Sequence, residues 1–228
     1  MLDNWRLKKY DTKFLLFPSG GVKIPDIGGI LNFAGYDWIL VHINKQAQEA
    51  YFITKDIIAE SDLFVVNSSA SLADDDIRMV SDDNSKLAKY CTNMMKSIYE
   101  NYKNIPFKAV NIPSAKIAEG KQAGIFIPCR DEHIKTFDYF KIAANLIAKY
   151  NGVAADWWIY PLGVTGGVAA DSGHFVSGYY TYWINTAGKM EWQQYWKGTN
   201  YCTEVKGIRP MCCVALDGLP YILKNTKG

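Results

Sequence analysis

Two side chains in the stretch PCRDEH, Cys129 and His133, place a thiol and an imidazole four residues apart. A nucleophilic cysteine needs a base within hydrogen-bond reach, and an i, i+4 spacing on a helical turn can supply one. Catalytic pairs usually converge from separate segments, with a third group orienting the base. Here both residues would sit on one exposed helix start, so the spacing argues against catalysis. The acidic run ADDDIRMVSDDNS offers Asp74, Asp75, Asp76, Asp82 and Asp83, but it lacks the D-x-D-x-D-G spacing of a calcium loop. It reads as a solvated loop that feeds a helix N-terminus. Five cysteines (Cys91, Cys129, Cys202, Cys212 and Cys213) show no CxxC pair and no nearby histidine pair, so no zinc site is expected. Adjacent Cys212 and Cys213 point to opposite faces of a strand, which predicts reduced, buried thiols.

The largest concentration of recognition chemistry is GYYTYWINTAGKMEWQQYW, residues 178–196, where seven of nineteen residues are Tyr or Trp. Strands over 179–185 and 189–195 would flank a turn at Asn185–Gly188. Tyr180, Tyr182 and Ile184 then share one face, and Tyr179, Thr181 and Trp183 share the other. Met190, Trp192, Gln194 and Trp196 alternate on the returning strand. Rings on both faces leave two readings open: core for a small β block, or contact area for a ligand. Tyr and Trp give large, stiff surfaces at low entropic cost and dominate interface hot spots. The expected ligand-binding residues are Tyr179, Tyr182, Trp183, Asn185, Trp192, Trp196 and Tyr201.

The elements that must hold these residues follow from pattern. A chain of 228 residues, 49% hydrophobic and 21% charged, can bury a core of its own. A net charge of +2 without a basic cluster gives no electrostatic case for nucleic acid. No apolar run approaches the ~20 residues of a membrane span, and the N-terminus has no apolar signal region, which predicts synthesis in the cytoplasm. DWILVHIN (37–44) and EAYFIT (49–54) read as paired strands, LFVVN (63–67) as another, and GIFIP (124–128) as a short buried one. Leu87, Cys91, Met94, Ile98 and Tyr102 form one helical stripe. Phe140, Ala143, Ala144, Ile147 and Tyr150 suggest a second helix over 136–150, stopped by Asn151–Gly152. Strands first, helices in the middle and a β-rich end predict an α+β layout without a nucleotide-binding parallel sheet.

Several pieces recur in an order that resembles a known family. They are DWILVHIN, opening on Trp38; GIFIPCRDEH (124–133) and DWWIYPLG (156–163); INTAGKMEW; and KGIRPMCCV (206–214). Together they resemble bacterial and phage domains of unknown function built on the C-type lectin-like fold, over about residues 36–216. That family ends in a Gly–aliphatic–Arg–Pro strand after a double-Trp segment and an N-x-x-G hairpin. The resemblance implies a mixed antiparallel sheet with two helices, pairing of N- and C-terminal strands, and a long-loop, β-rich C-terminal block. Tyr160 stands where the family has Arg after the double Trp, and the vertebrate lectins' EPN, QPD and WND tripeptides are absent, which weighs against calcium-dependent sugar binding. Formylglycine-generating enzymes use a related scaffold with a reactive cysteine pair. Cys202, Cys212 and Cys213 lie in the matching block, but thiols within an apolar strand behave as small hydrophobes.

The resemblance therefore implies a non-enzymatic phage or prophage virion protein. Residues 1–35 would form an arm anchoring it to other virion proteins, and residues 36–228 the lectin-like domain. Its C-terminal aromatic face would bind a host surface glycan or protein. The alternative is a purely structural virion component, such as a capsid decoration, baseplate or tail piece, that uses the same face for subunit packing. A multi-copy or homo-oligomeric state is expected, with no cofactor, metal, nucleic acid or membrane insertion.

Overall fold

The computed structural model describes residues 5–6, 17–18, 25–61, 86–102, 105–108, 124–159, 165–168, 175–196 and 204–219, with backbone alone at 5–6, 17–18, 86–89, 165–168, 175–181 and 194–196. Strands β1 (Trp5–Arg6) and β2 (Phe17–Pro18) pair with each other. Next come β3 (Ile30–Phe33), β4 (Tyr36–Asn44), β5 (Glu49–Thr54) and β6 (Ala59–Ser61). Helix α1 spans Lys86–Asn101, and β7 is Ile125–Phe126. A π-helical turn at Arg130–Ile134, a 3-10 turn at Asp138–Lys141 and the single-turn α2 (Ala143–Leu146) follow. The chain continues through β8 (Ala148–Tyr150), β9 (Val153–Ala155), β10 (Trp157–Ile159), β11 (Thr165–Val168), β12 (Phe175–Ile184) and β13 (Met190–Trp196), then β14 (Lys206–Ile208) and β15 (Met211–Ala215).

Two sheets organise these elements. One runs β3-β4-β5-β15-β7, antiparallel throughout, so a strand from the end of the chain lies against one from its first quarter. The other runs β11-β12-β10-β14-β6 with β13 along the opposite edge of β12, and only its β10–β14 contact is parallel. The protein is thus a mixed α+β structure with mostly antiparallel sheets. Among the described residues no helix is long and apolar enough to cross a membrane.

Alternation along the first sheet separates two cores. Trp38, Leu40, Ala50, Phe52, Cys212 and Val214 face one side, where Cys91, Met94 and Ile98 of α1 cover them. Ile39, Val41, Tyr51, Ile53, Met211 and Cys213 face the other, under Ile134, Phe137, Phe140 and Leu146. A sheet covered on both faces needs strands that are apolar at nearly every position, which explains the unbroken runs WILV, AYFI and MCCV. Strand β10 serves both cores: Trp157 enters the second and Trp158 the first, each fully buried. Cys91, Cys129, Cys212 and Cys213 are all buried and form no disulfide. Burial pushes the Cys91 and Cys213 thiols up to about 12, as expected of thiols packed like small hydrophobes.

Three expectations change. The helix over 136–150 is absent: the segment is a 3-10 turn, one turn of α2 and then β8, which pairs with β9. Asn151 and Gly152 both take positive φ, 50° and 84°, so they form a tight hairpin turn rather than a helix stop. The Trp157 Nε1–H donates to the Leu146 carbonyl at 2.8 Å, which captures a carbonyl at the end of α2. A boundary at residue 35 would cut the β3–β4 hairpin, because Ile30–Phe33 pairs along Tyr36–Ile39. Finally, Tyr102, placed on the helical stripe, lies just past α1 and is exposed, whereas Cys91, Met94 and Ile98 are buried as expected. The strand expected at 63–67 and the acidic run at 73–85 lie outside the described residues.

Candidate functional site

The aromatic hairpin forms in the expected register. Tyr182 stands opposite Trp192 and Ile184 opposite Met190 on one face, while Trp183 stands opposite Glu191 on the other. Its turn is tied by backbone bonds from Asn185 N–H to the Lys189 carbonyl and from Gly188 N–H to the Asn185 carbonyl. Asn185 spends its side chain locally: Oδ1 accepts from the N–H groups of Ala187 and Lys189, and Nδ2 donates to Glu191 Oε1. Asp156 Oδ1 accepts from Thr186 N–H, fastening the turn to the start of β10. Asn185 is thus a turn-former, and its amide is committed to the hairpin.

Gly188 is required at that turn. Its φ of 72° is left-handed, and a Cβ there would collide with the Ala143 carbonyl oxygen and crowd Ile147. Gly188→Ala should therefore lower the unfolding free energy by at least the ~1–2 kcal/mol of a left-handed backbone, more because of the collision, and shift the urea midpoint down accordingly. An unchanged midpoint would contradict this placement.

Two cations sit on the rings, one for each face of β12. The Arg130 guanidinium lies 4.5 Å from the Tyr182 ring centre. On the other face, Lys206 Nζ lies 4.3 Å from the Trp183 ring and 5.3 Å from Trp158, and the two indoles meet edge to face at 6.2 Å. Lys206 is buried and held by Glu204 at 2.8 Å and Asp156 at 3.5 Å. Cation–π contact strengthens when water is excluded, so these rings are anchored from within the chain. Trp192 differs. It is 57% exposed, next to the exposed Met190 on β13.

The expected binding residues therefore separate. Tyr182 and Trp183 are half-buried beneath their cations, Asn185 makes the turn, and Trp192 is exposed. Tyr179 and Trp196 are placed by strand register, opposite Tyr195 and Gly178. Tyr201 lies outside the described residues. Arg130 and Lys206 were not among the expected site residues. Their charge suggests solvent, and only the spatial fold brings them onto rings some fifty and twenty residues away.

The Cys129–His133 pair is brought together, but buried rather than exposed. His133 Nδ1 accepts from the Cys129 backbone N–H at 2.9 Å, so the imidazole bonds to main chain. Cys129 carbonyl in turn accepts from the N–H groups of His133 and Ile134. Burial, with a smaller contribution from His42, lowers the His133 pKa to about 3. A base that weak is poorly suited to activating a thiol near neutral pH, and its Nδ1 is already occupied by main chain, so both observations weigh against the nucleophile reading.

Arg209, the arginine of GIRP, is 1% exposed. Its Nε donates to the Thr54 carbonyl at 2.9 Å, Nη1 to Asn145 at 3.4 Å and Nη2 to Lys55 at 3.3 Å, with the Trp157 ring 5.1 Å away. It joins the end of β5, α2 and β10 at one point. Among the described residues no three His, Cys, Asp or Glu side chains cluster to hold a metal. Comparison of the chain with protein-family models, curated proteins and solved structures finds no match in any of the three. What the fold and site define is an α+β protein with a cation-anchored aromatic hairpin.

Proposed function

We propose that this chain is a non-enzymatic recognition protein on a C-type lectin-like fold, a phage or prophage virion component that contacts a host surface glycan or protein. The pairing of β15 with β5, the buried double Trp of β10 and the N-x-x-G turn supporting a long hairpin favour that fold. The observation that carries the recognition reading is Trp192, 57% exposed on β13 beside the β12 rings of Tyr182 and Trp183, which Arg130 and Lys206 contact. Fixed aromatic surface costs little entropy to bind with. One such anchor contributes roughly 2 kcal/mol, a weak site that multiple copies on a particle would convert to avidity. The part of the chain before β3 would supply the attachment to other virion proteins.

Trp192→Ala should change stability by less than about 0.5 kcal/mol, as for other surface positions, and weaken binding to a glycan array or to bacterial cells about thirtyfold. Unchanged binding would remove the recognition reading. A second reading, a structural virion component, draws on the exposed Ile142, Ile147 and Met190 close to the same turn. It requires a stable oligomer by sedimentation that Trp192→Ala or Met190→Glu dissociates.

A further inference from the structure

We propose that His133 is an acid-sensitive latch: its neutral imidazole caps the turn that carries Arg130 onto the Tyr182 ring, and protonation releases that turn. In an ordinary capping box, a Glu or Gln side chain reaches back to the N-cap N–H of its own helix. Here the N-cap is Cys129, the helix is the π-turn Arg130–Ile134, and the group reaching back is His133 Nδ1. A neutral imidazole has one acceptor nitrogen, and protonation turns it into a donor. Nδ1–H would then face the Cys129 N–H, two donors in a site from which water is excluded. The carboxylates ion-paired around it offer no ready counter-charge.

The groups around the imidazole show why. From β4, His42 stacks on Phe137 at 4.2 Å, and Phe137 meets His133 edge to face at 5.3 Å. From β5, the Tyr51 ring lies 6.1 Å away, its hydroxyl donating to Glu49, which pairs with Lys108 at 2.8 Å. From β15, Cys213 bonds to Tyr51 and lies in the same core. Strand β7 contributes Phe126 at 5.2 Å, which carries no charge. Within the turn, Asp131 is shared by Arg130 at 3.0 Å and Lys135 at 2.8 Å, and Glu132 is adjacent in sequence. In the 3-10 turn, Asp138 pairs with Lys141. Asp131, Glu49 and Asp138 are already paired with cations, and the second histidine opposes added positive charge.

Linkage fixes the direction. An exposed imidazole takes its proton near 6.5, whereas in place His133 resists it down to about 3. The closed latch is therefore fully stable above pH 6.5 and loses stability as pH falls through the window from 6.5 towards 3. Opening should rise about tenfold per pH unit in that window, or about thirtyfold between pH 7.5 and 5.0. Opening would free Arg130 from Tyr182, whose cross-strand neighbour is Trp192. The consequence for ligand binding rests on the recognition reading above; the latch does not.

Amide hydrogen exchange on the full chain tests it. Corrected for intrinsic rates, protection of the 129–137 amides should fall about thirtyfold between pH 7.5 and 5.0. Amides of α1, which packs on the other core, serve as the reference. His133→Asn offers an oxygen acceptor that takes no proton in this range, so its 129–137 protection should not follow pH. A flat wild type, or an equal fall in His133→Asn, overturns the latch. Should His133→Asn not fold, ring-nitrogen NMR of the wild type decides: a bare Nδ1 unchanged from pH 7.5 to 5.0 supports the latch, and a titration centred near 6.5 in the folded protein overturns it. An opening latch alongside normal binding by Trp192→Ala would keep the latch and remove the recognition reading.

Discussion

Arg209→Ala lowers the stability of the folded chain by about 4 kcal/mol, or prevents folding outright. The guanidinium supplies N–H donors to three backbone carbonyls, Thr54, Lys55 and Asn145, in a fully buried setting. Truncation orphans all three, and each orphaned buried acceptor costs roughly 1–3 kcal/mol. Burial lowers the Arg209 pKa only to about 10, so the group stays charged at neutral pH. Arg209→Lys separates charge from geometry. A single ammonium cannot reach three carbonyls spread along a planar fork, so lysine recovers about half the loss. Urea unfolding at neutral pH measures both variants. Losses below about 1 kcal/mol for Arg209→Ala would show that the carbonyls find other donors, and that GIRP is not the structural knot described here.

What could be read from sequence divides along contact range. Strands β4 and β5, the turn at Asn185–Gly188 and the α1 face of Cys91, Met94 and Ile98 depend on neighbours within a few residues, and their patterns survive in one dimension. The opposed placement of Cys212 and Cys213 followed from strand period alone. The segment 136–150 failed because its apolar spacing fits a helix, while the Asn151–Gly152 turn and the Trp157 indole, both beyond the window, favour β8. Arg130 on Tyr182, Lys206 on Trp183 and Arg209 on Thr54 were illegible for a different reason. Each is a charged residue whose partner lies 52, 23 or 155 positions away, and the charge itself suggests solvent. His133 was legible as a partner of Cys129, but not as a cap on its backbone, because burial decides that role.

Trp157→Ala is expected to cost about 4 kcal/mol, within the range for deleting a buried aromatic side chain. Its ring fills the core beneath Phe140, Leu146 and Ile184, and its Nε1–H holds the Leu146 carbonyl. Trp157→Phe separates the two contributions. Phenylalanine restores much of the volume but leaves that carbonyl unpaired, so about 1–2 kcal/mol should remain lost. The ring also faces the Arg209 guanidinium at 5.1 Å. A double-mutant cycle of Trp157→Phe with Arg209→Lys should therefore show coupling of about 0.5 kcal/mol or more, whereas Trp158→Phe with Arg209→Lys should add nearly independently. Trp158 belongs to the other core, where its Nε1–H donates to the Ser61 carbonyl and its ring meets Lys206 and Trp183. If Trp158 couples to Arg209 as strongly as Trp157 does, the two cores are not energetically separate. If it does not, adjacent tryptophans on β10 address two independent cation–aromatic contacts, one behind the hairpin and one at the GIRP corner.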